Sequence, residues 1–193
     1  MKLSSRAGAH APEATGVLRR RIVIGGAASM IASFVGLRAP LASTPRAPKT
    51  LCFENLHTGE RVNTCYWQAG DYVGDGLRDI SRVLRDHRTG EVRLIEPALL
   101  DVLHRLNAQL GTPQPFQVIS GYRSPVSNAA LAAASNGVAK KSMHMEGKAI
   151  DVRIPGVALS VLRDAAKSLG AGGVGYYPKS NFVHLDTGRV RTW

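Results

Sequence analysis

The sequence predicts an α+β fold: a small antiparallel sheet with flanking helices, preceded by an N-terminal hairpin. Three observations carry that prediction. Beyond residue 50, segments with apolar residues at helical spacing are mixed with short strand-like runs. The two kinds do not alternate strictly, which argues against a doubly wound parallel sheet. The first strand-like runs flank a turn marked by a glycine, the pattern of a hairpin.

The hairpin is read as Leu51 to Leu56, a turn at His57-Thr-Gly-Glu60, and Arg61 to Trp67. A two-residue loop at Thr58-Gly59 would put Cys52 directly opposite Cys65, in a non-hydrogen-bonded pair whose Cα atoms lie close. In an oxidising compartment such a pair can form a disulfide; two separate thiols, or a bulge that shifts the register, are the alternatives. Leu77, Ile80, Val83 and Leu84 predict a first helix ending near Gly90. Pro97 opens a second helix, with Leu99, Val102, Leu103, Leu106 and Leu110 on one face and Gly111 at its end. Phe116 to Ile119 is a short strand, Asn128 to Ala134 a small Ala-rich helix, and Lys148 to Ile154 a strand. Ala158 to Leu169 is a helix stopped by Gly170, followed by short strands at Val174–Tyr177 and Phe182–Leu185.

The length of 193 residues suits one domain plus a targeting segment, and 44% hydrophobic residues suffice for a core. The net charge of +11 is unevenly spread. Residues 1–49 carry eight Lys/Arg against one acid, or +7, and residues 50–193 carry 17 against 13, or +4. The basic character is therefore concentrated at the N-terminus, and the mildly basic remainder suits an anionic polymer such as murein better than DNA. Arg19-Arg20-Arg21 precedes the apolar stretch Ile22 to Gly36, then Pro40 and small residues. That order describes an export signal, and the paired arginines with a Gly/Ala-softened apolar stretch resemble the twin-arginine type. An uncleaved N-terminal anchor is the alternative. The expected organisation is an export signal over 1–44, a linker over 45–50 and a catalytic domain over 51–193.

Three short blocks in the C-terminal half carry chemistry: Ser120-Gly-Tyr-Arg-Ser124, Ser142-Met-His-Met-Glu-Gly-Lys-Ala-Ile-Asp151 and Asn181-Phe-Val-His-Leu-Asp-Thr-Gly188. His144 lies in a loop, Asp151 in the strand after it and His184 in another strand. Adjacent antiparallel strands can bring such side chains to one point, and two imidazoles with one carboxylate form a catalytic zinc set with a fourth position open. Arg123 supplies fixed positive charge for an oxyanion. Asp186, two residues beyond His184, points to the same strand face. Taken singly, each histidine also fits a hydrogen-bonded or exposed role.

The combined pattern is far more specific. S-x-H-x-x-G-x-A-x-D, preceded by S-G-Y-R-S and followed by a late His, resembles the D-Ala-D-Ala branch of the LAS zinc metallopeptidases, with a hedgehog-like fold. It is most similar to the murein endopeptidase K-like proteins, through N-L-H-T-G-E, G-G-V-G-Y-Y-P and N-F-V-H-L-D-T-G-x-V-R-x-W. The resemblance implies zinc ligands His144, Asp151 and His184, and Arg123 on the substrate carbonyl. It further implies Ser142 holding the substrate peptide, Gly147 in a tight turn, and Gly121 and Ser124 shaping the Arg123 loop. Many relatives carry a Glu or Asp three residues before the second His as the base. Asn181 stands there and cannot take a proton, so the role is assigned to Asp186, with Glu146 in reserve.

The function expected is a zinc-dependent murein endopeptidase acting on peptidoglycan crosslinks in the periplasm during cell-wall remodelling. A D-Ala-D-Ala carboxypeptidase and a non-catalytic peptidoglycan-binding module are the rivals. The expected partners are peptidoglycan peptides, with no nucleic acid and no stable membrane insertion after export, and the chain is expected to be a monomer. His57, His87 and His104 are read as surface or structural residues. Tyr122, Tyr176 and Tyr177 are read as packing or as a groove lining, and Trp193 as docked on the core.

Overall fold

A computed structural model describes residues 47–134 and 139–193. The stretch read as an export signal and the start of the expected linker lie outside the described residues. Strand β1 (Lys49–Asn55) begins inside the stretch read as linker. It is followed by β2 (Arg61–Gln68), β3 (Asp71–Tyr72), α1 (Gly74–Val83), α2 (Pro97–Leu110), β4 (Phe116–Ser120) and α3 (Pro125–Ala134). A short 3-10 turn (Met143–Glu146), β5 (Ala149–Arg153), α4 (Leu159–Ser168), β6 (Gly173–Tyr177), β7 (Phe182–Asp186) and β8 (Arg191–Thr192) complete the chain.

The α+β class holds, but the sheet is neither small nor wholly antiparallel. Its eight strands run in the order β3-β2-β1-β4-β5-β7-β6-β8. β1 pairs parallel with β4, and β6 parallel with β8. The opening hairpin is therefore continuous with the main sheet rather than a preface to it.

The hairpin register also differs from the expected one. Cys52 faces Asn63 and Cys65 faces Thr50. Both thiols are free, so the Cys52–Cys65 disulfide is absent. The physical cause is the turn. The Asn55 side-chain oxygen accepts from the amides of His57 and Thr58, and the Asn55 amide bonds the Glu60 carbonyl. The chain thus reverses through residues 56–59, a four-residue loop in place of a two-residue one.

Strand alternation decides what each face carries. Leu51 and Phe53 of β1, Phe116 and Val118 of β4, Ile150 and Val152 of β5, and Val183 and Leu185 of β7 are all buried in one apolar cluster. Leu99, Leu100, Leu103 and Leu106 of α2, with Leu162 and Ala166 of α4, join the same cluster. Burying such a side chain contributes about 1.5 to 3 kcal/mol, which fixes the register of every strand that supplies one. Pro97 stands at the start of α2 and Gly111 closes it, as the sequence indicates. The Ala-rich helix starts at Pro125, earlier than expected, because the Ser124 hydroxyl accepts from the Ser127 amide at its N-terminus.

Candidate metal centre

The alternation that buries Ile150, Val152, Val183 and Leu185 turns Asp151, His184 and Asp186 to the opposite face. Pairing then aligns a row across four strands: Ser120 opposite Asp151, Asp151 opposite His184, and His184 opposite Gly175. His144 reaches this row from the 3-10 turn. The Ser142 hydroxyl accepts from the His144 amide at the start of that turn. Gly147 ends it at φ +70°, where an added Cβ would lie 2.5 Å from the Leu94 carbonyl oxygen. The tight turn expected at Gly147 is thus a positive-φ position with no room for a side chain.

His144, Asp151 and His184 form a compact triangle. His144 Nε2 is 3.2 Å from His184 Nδ1 and 3.3 Å from Asp151 Oδ2, and His184 Nδ1 is 2.8 Å from Asp151 Oδ1. Ligands held 2.0–2.1 Å from a tetrahedral zinc stand about 3.4 Å apart, so the two longer edges match such an ion closely. The three side chains are 3%, 8% and 12% exposed. Among the described residues this is the one His/Cys/Asp/Glu group able to hold a metal ion.

The outer nitrogen of each ring is also committed. His144 Nδ1–H donates to the Gly121 carbonyl at 2.7 Å, leaving Nε2 free to face the centre. His184 Nε2–H donates to Asp186 Oδ2 at 3.0 Å, leaving Nδ1 free. Such partners fix the tautomer and ring orientation of metal-ligating histidines. Burial works against the charged form of Asp151, but the His144 and His184 rings overcome it and hold the carboxyl well below the usual range. Burial likewise opposes protonation of His184, while its bonds to Asp151 and Asp186 raise its pKa.

Asp186, expected as the general base, stands outside the triangle. Its side chain is fully buried and lies beyond the outer edge of the His184 ring, away from the triangle. Arg191 grips both carboxylate oxygens, at 2.7 and 3.0 Å. The Gly173 and Gly188 amides donate to Oδ1 at 3.1 and 2.9 Å. Burial favours its neutral form, yet the bonds from His184, Arg191 and Gly188 hold its pKa well below the usual carboxylate range. A carboxylate so occupied orients His184 and has little affinity for a proton. A Cβ at residue 173 would sit 2.5 Å from Asp186 Oδ2, so glycine is needed where β6 closes on this carboxylate.

Glu146, the reserve candidate, lies at the surface instead. It is half exposed, ion-pairs with Lys148 at 2.8 Å, and does not line the cleft. Asn181 does not line the cleft either. It is an exposed turn residue at φ +54° between β6 and β7, a conformation asparagine tolerates better than most.

A cleft of about 400 Å³ opens over the triangle, lined by Arg123, Lys141, Ser142, Tyr177, Phe182 and Trp193 among others. Arg123 is held by Ser120 Oγ and Asn128 Oδ1, each at 3.3 Å, and its guanidinium stands 3.8 Å from Asp151. The Ser124 amide behind it donates to buried Asp86 at 2.8 Å, which anchors the arginine loop. Burial pulls the Arg123 pKa below the ordinary arginine value, with Asp151 opposing.

The aromatic residues divide. Tyr122 is buried and donates to Glu91, and Tyr176 packs against the core, whereas Tyr177 lines the cleft. Trp193 docks on the rim of the site and not on the core. It is 49% exposed, its ring lies 5.3 Å from the His184 ring, and its indole N–H donates to the Tyr177 hydroxyl. Ser120, Asn128, Asp86 and Arg191 all shape the site without having been assigned from sequence. Ser120 and Arg191 stand within motifs quoted above; Asp86 and Asn128 have no local signal.

The M15 peptidase family model described as peptidoglycan L,D-endopeptidase MepK matches residues 43–193. The chain is 46% identical to the peptidoglycan L,D-endopeptidase MepK of Escherichia coli (strain K12) over 175 residues, 91% of this chain and 96% of that protein. It is 42% identical to the probable peptidoglycan L,D-endopeptidase MepK of Haemophilus influenzae over 176 residues, 91% of this chain and 94% of that protein.

Proposed function

The chain belongs to the M15 peptidase family of peptidoglycan L,D-endopeptidase MepK, and from that premise we propose that it is a zinc endopeptidase hydrolysing peptide crosslinks of peptidoglycan in the periplasm. The observation that carries the reading is the buried His144–Asp151–His184 triangle, with each imidazole's outer nitrogen already satisfied. Two histidines and one carboxylate suit zinc, with a fourth position left for water or substrate. An export signal over 1–44 accounts for the periplasmic location, and among the described residues no helix is long and apolar enough to cross a membrane.

His144 Nε2, Asp151 and His184 Nδ1 would hold the ion. Zinc so bound supplies Lewis acidity and brings the ionisation of water toward neutral pH. The protein's own groups do the rest. Arg123, fixed by Ser120 and Asn128, offers positive charge where the carbonyl oxygen gains negative charge. Ser142 and Tyr177 line the cleft and hold the peptide in register. Asp186, buttressed by Arg191, keeps the His184 ring from turning its wrong nitrogen inward. Asp151 is the one side-chain carboxylate among the described cleft-lining residues, and it would serve as a ligand to the ion.

Digestion of purified crosslinked murein by the full-length zinc-loaded protein tests this, with His184→Ala as control and muropeptides read by mass spectrometry. Conversion of L,D-crosslinked dimers to monomers by the intact site alone is the expected result. Loss of terminal D-Ala with intact crosslinks would instead indicate a carboxypeptidase. Unchanged murein with one zinc bound would indicate a peptidoglycan-binding module.

A further inference from the structure

The cleft holds three cations, and two of them are already engaged. Arg123 is tied to Ser120 and Asn128 and stands beside Asp151; Arg191 is paired with Asp186. The third, Lys141, is exposed on the rim, and among the described residues no hydrogen bond or ion pair engages its ammonium. Its position is nevertheless built. The buried Asn128 side chain donates to the Ala139 and Lys140 carbonyls at 3.1 and 3.4 Å, pinning the backbone immediately before Lys141. The same amide accepts from Arg123, so one residue sets the spacing between the oxyanion-side guanidinium and the free ammonium. Ser142, next in sequence, begins the turn that carries His144.

Hydrolysis of an L,D bond releases an amine from a D-centre. Where that centre is part of diaminopimelate, it carries its own carboxylate, one carbon from the scissile nitrogen. Such a group enters the cleft as a fixed negative charge beside the reacting bond. Asp151 is the one side-chain carboxylate among the described residues lining the cleft, and it is enclosed by the two imidazoles. We propose that Lys141 is a specificity-determining residue that recognises the carboxylate on the leaving D-centre of the crosslink. The proposal rests on the endopeptidase reading above and adds the feature of the substrate that is selected. A carboxylate there gains a charge-assisted hydrogen bond from Lys141, and an amidated or truncated centre does not. A lysine suits this task better than a second arginine, since it delivers a compact charge on a flexible stem without a planar demand.

The test uses two synthetic L,D-crosslinked peptide dimers that differ only in whether the carboxyl on the leaving D-centre is free or amidated. kcat and KM are measured with full-length zinc-loaded wild type, Lys141→Met and Lys141→Arg. Wild type is expected to favour the free acid by about tenfold in kcat/KM. In Lys141→Met that ratio falls to near one, chiefly through a raised KM for the free acid, and Lys141→Arg restores most of it. A Lys141→Met protein that keeps the wild-type ratio overturns the proposal, as does a wild type that cleaves both dimers equally. Failure of wild type to cleave either dimer removes the endopeptidase reading itself, and the proposal with it.

Discussion

Two pairs of histidines lie close together among the described residues, and only one belongs to a group that could hold a metal. His144 and His184 meet edge to face, with ring centroids 5.0 Å apart and planes at 63°. His57 and His87 stack, at 3.8 Å and 11°. The stacked pair has the shorter separation and the poorer site. Its rings lie face to face, so their nitrogen lone pairs do not converge; His57 Nε2 is occupied by the Ile119 carbonyl, and no third ligand joins them among the described residues. The edge-to-face pair aims one nitrogen from each ring at a shared carboxylate and ties down the other two. What makes a metal site is therefore the commitment of the outer nitrogens and a buried counter-charge, more than the nearness of two imidazoles.

The largest effect expected on that contrast comes from the inner ligands. His184→Ala should abolish stoichiometric zinc binding and lower murein hydrolysis on the order of a thousandfold or more, read by metal analysis and muropeptide release. Next comes the outer partner. Asp186→Asn should weaken zinc binding by about 10- to 100-fold, measured by chelator competition, because the amide no longer holds the His184 tautomer. If Asp186 were the base, zinc affinity would stay unchanged while turnover collapsed.

A smaller effect belongs to the ground beneath the second pair. Asp86, adjacent to His87, is buried and accepts from the Ser124 and Arg88 amides. Burial alone would raise its pKa, but hydrogen bonds from Ser127, Ser124 and Arg88 hold it well below the ordinary carboxylate range. A carboxylate depressed in the folded state contributes stability that is present above its unfolded pKa of about 4 and lost as pH falls toward the folded value. Asp86→Asn should therefore cost about 2 kcal/mol at pH 7 and markedly less at pH 3, in urea unfolding. The smallest effect is expected from the stacked rings themselves. The double substitution His57→Ala and His87→Ala should leave zinc stoichiometry unchanged and alter stability by only about 0.5 kcal/mol.

The sequence made the His144–Asp151–His184 group legible because strand parity and a long composite motif agreed. Val183 and Leu185 must face the core, so His184 and Asp186 must face away. Parity gave the face of Asp186 and left its role open, since the choice between Nδ1 and Nε2 depends on ring rotation, which no spacing encodes. The partner of Arg191 was hidden for a related reason: its pairing with Asp186 depends on β6 lying between β7 and β8 in the sheet. The hairpin register failed at one side chain, Asn55, whose local hydrogen bonds lengthened the loop. The parallel pairing of β1 with β4 joins segments separated by two helices, and nothing in either strand announces it. Pairs as short as β3 and β8, and the 3-10 turn under His144, are below the length at which periodicity speaks.

The most direct test is a zinc-edge anomalous difference map from crystals of the zinc-loaded protein. One peak is expected, within about 2.0–2.2 Å of His144 Nε2, an Asp151 carboxylate oxygen and His184 Nδ1, with Asp186 remaining on the far side of the His184 ring. A peak between His57 and His87, or a His184 turned to ligate through Nε2 with Asp186 beside the ion, would contradict it.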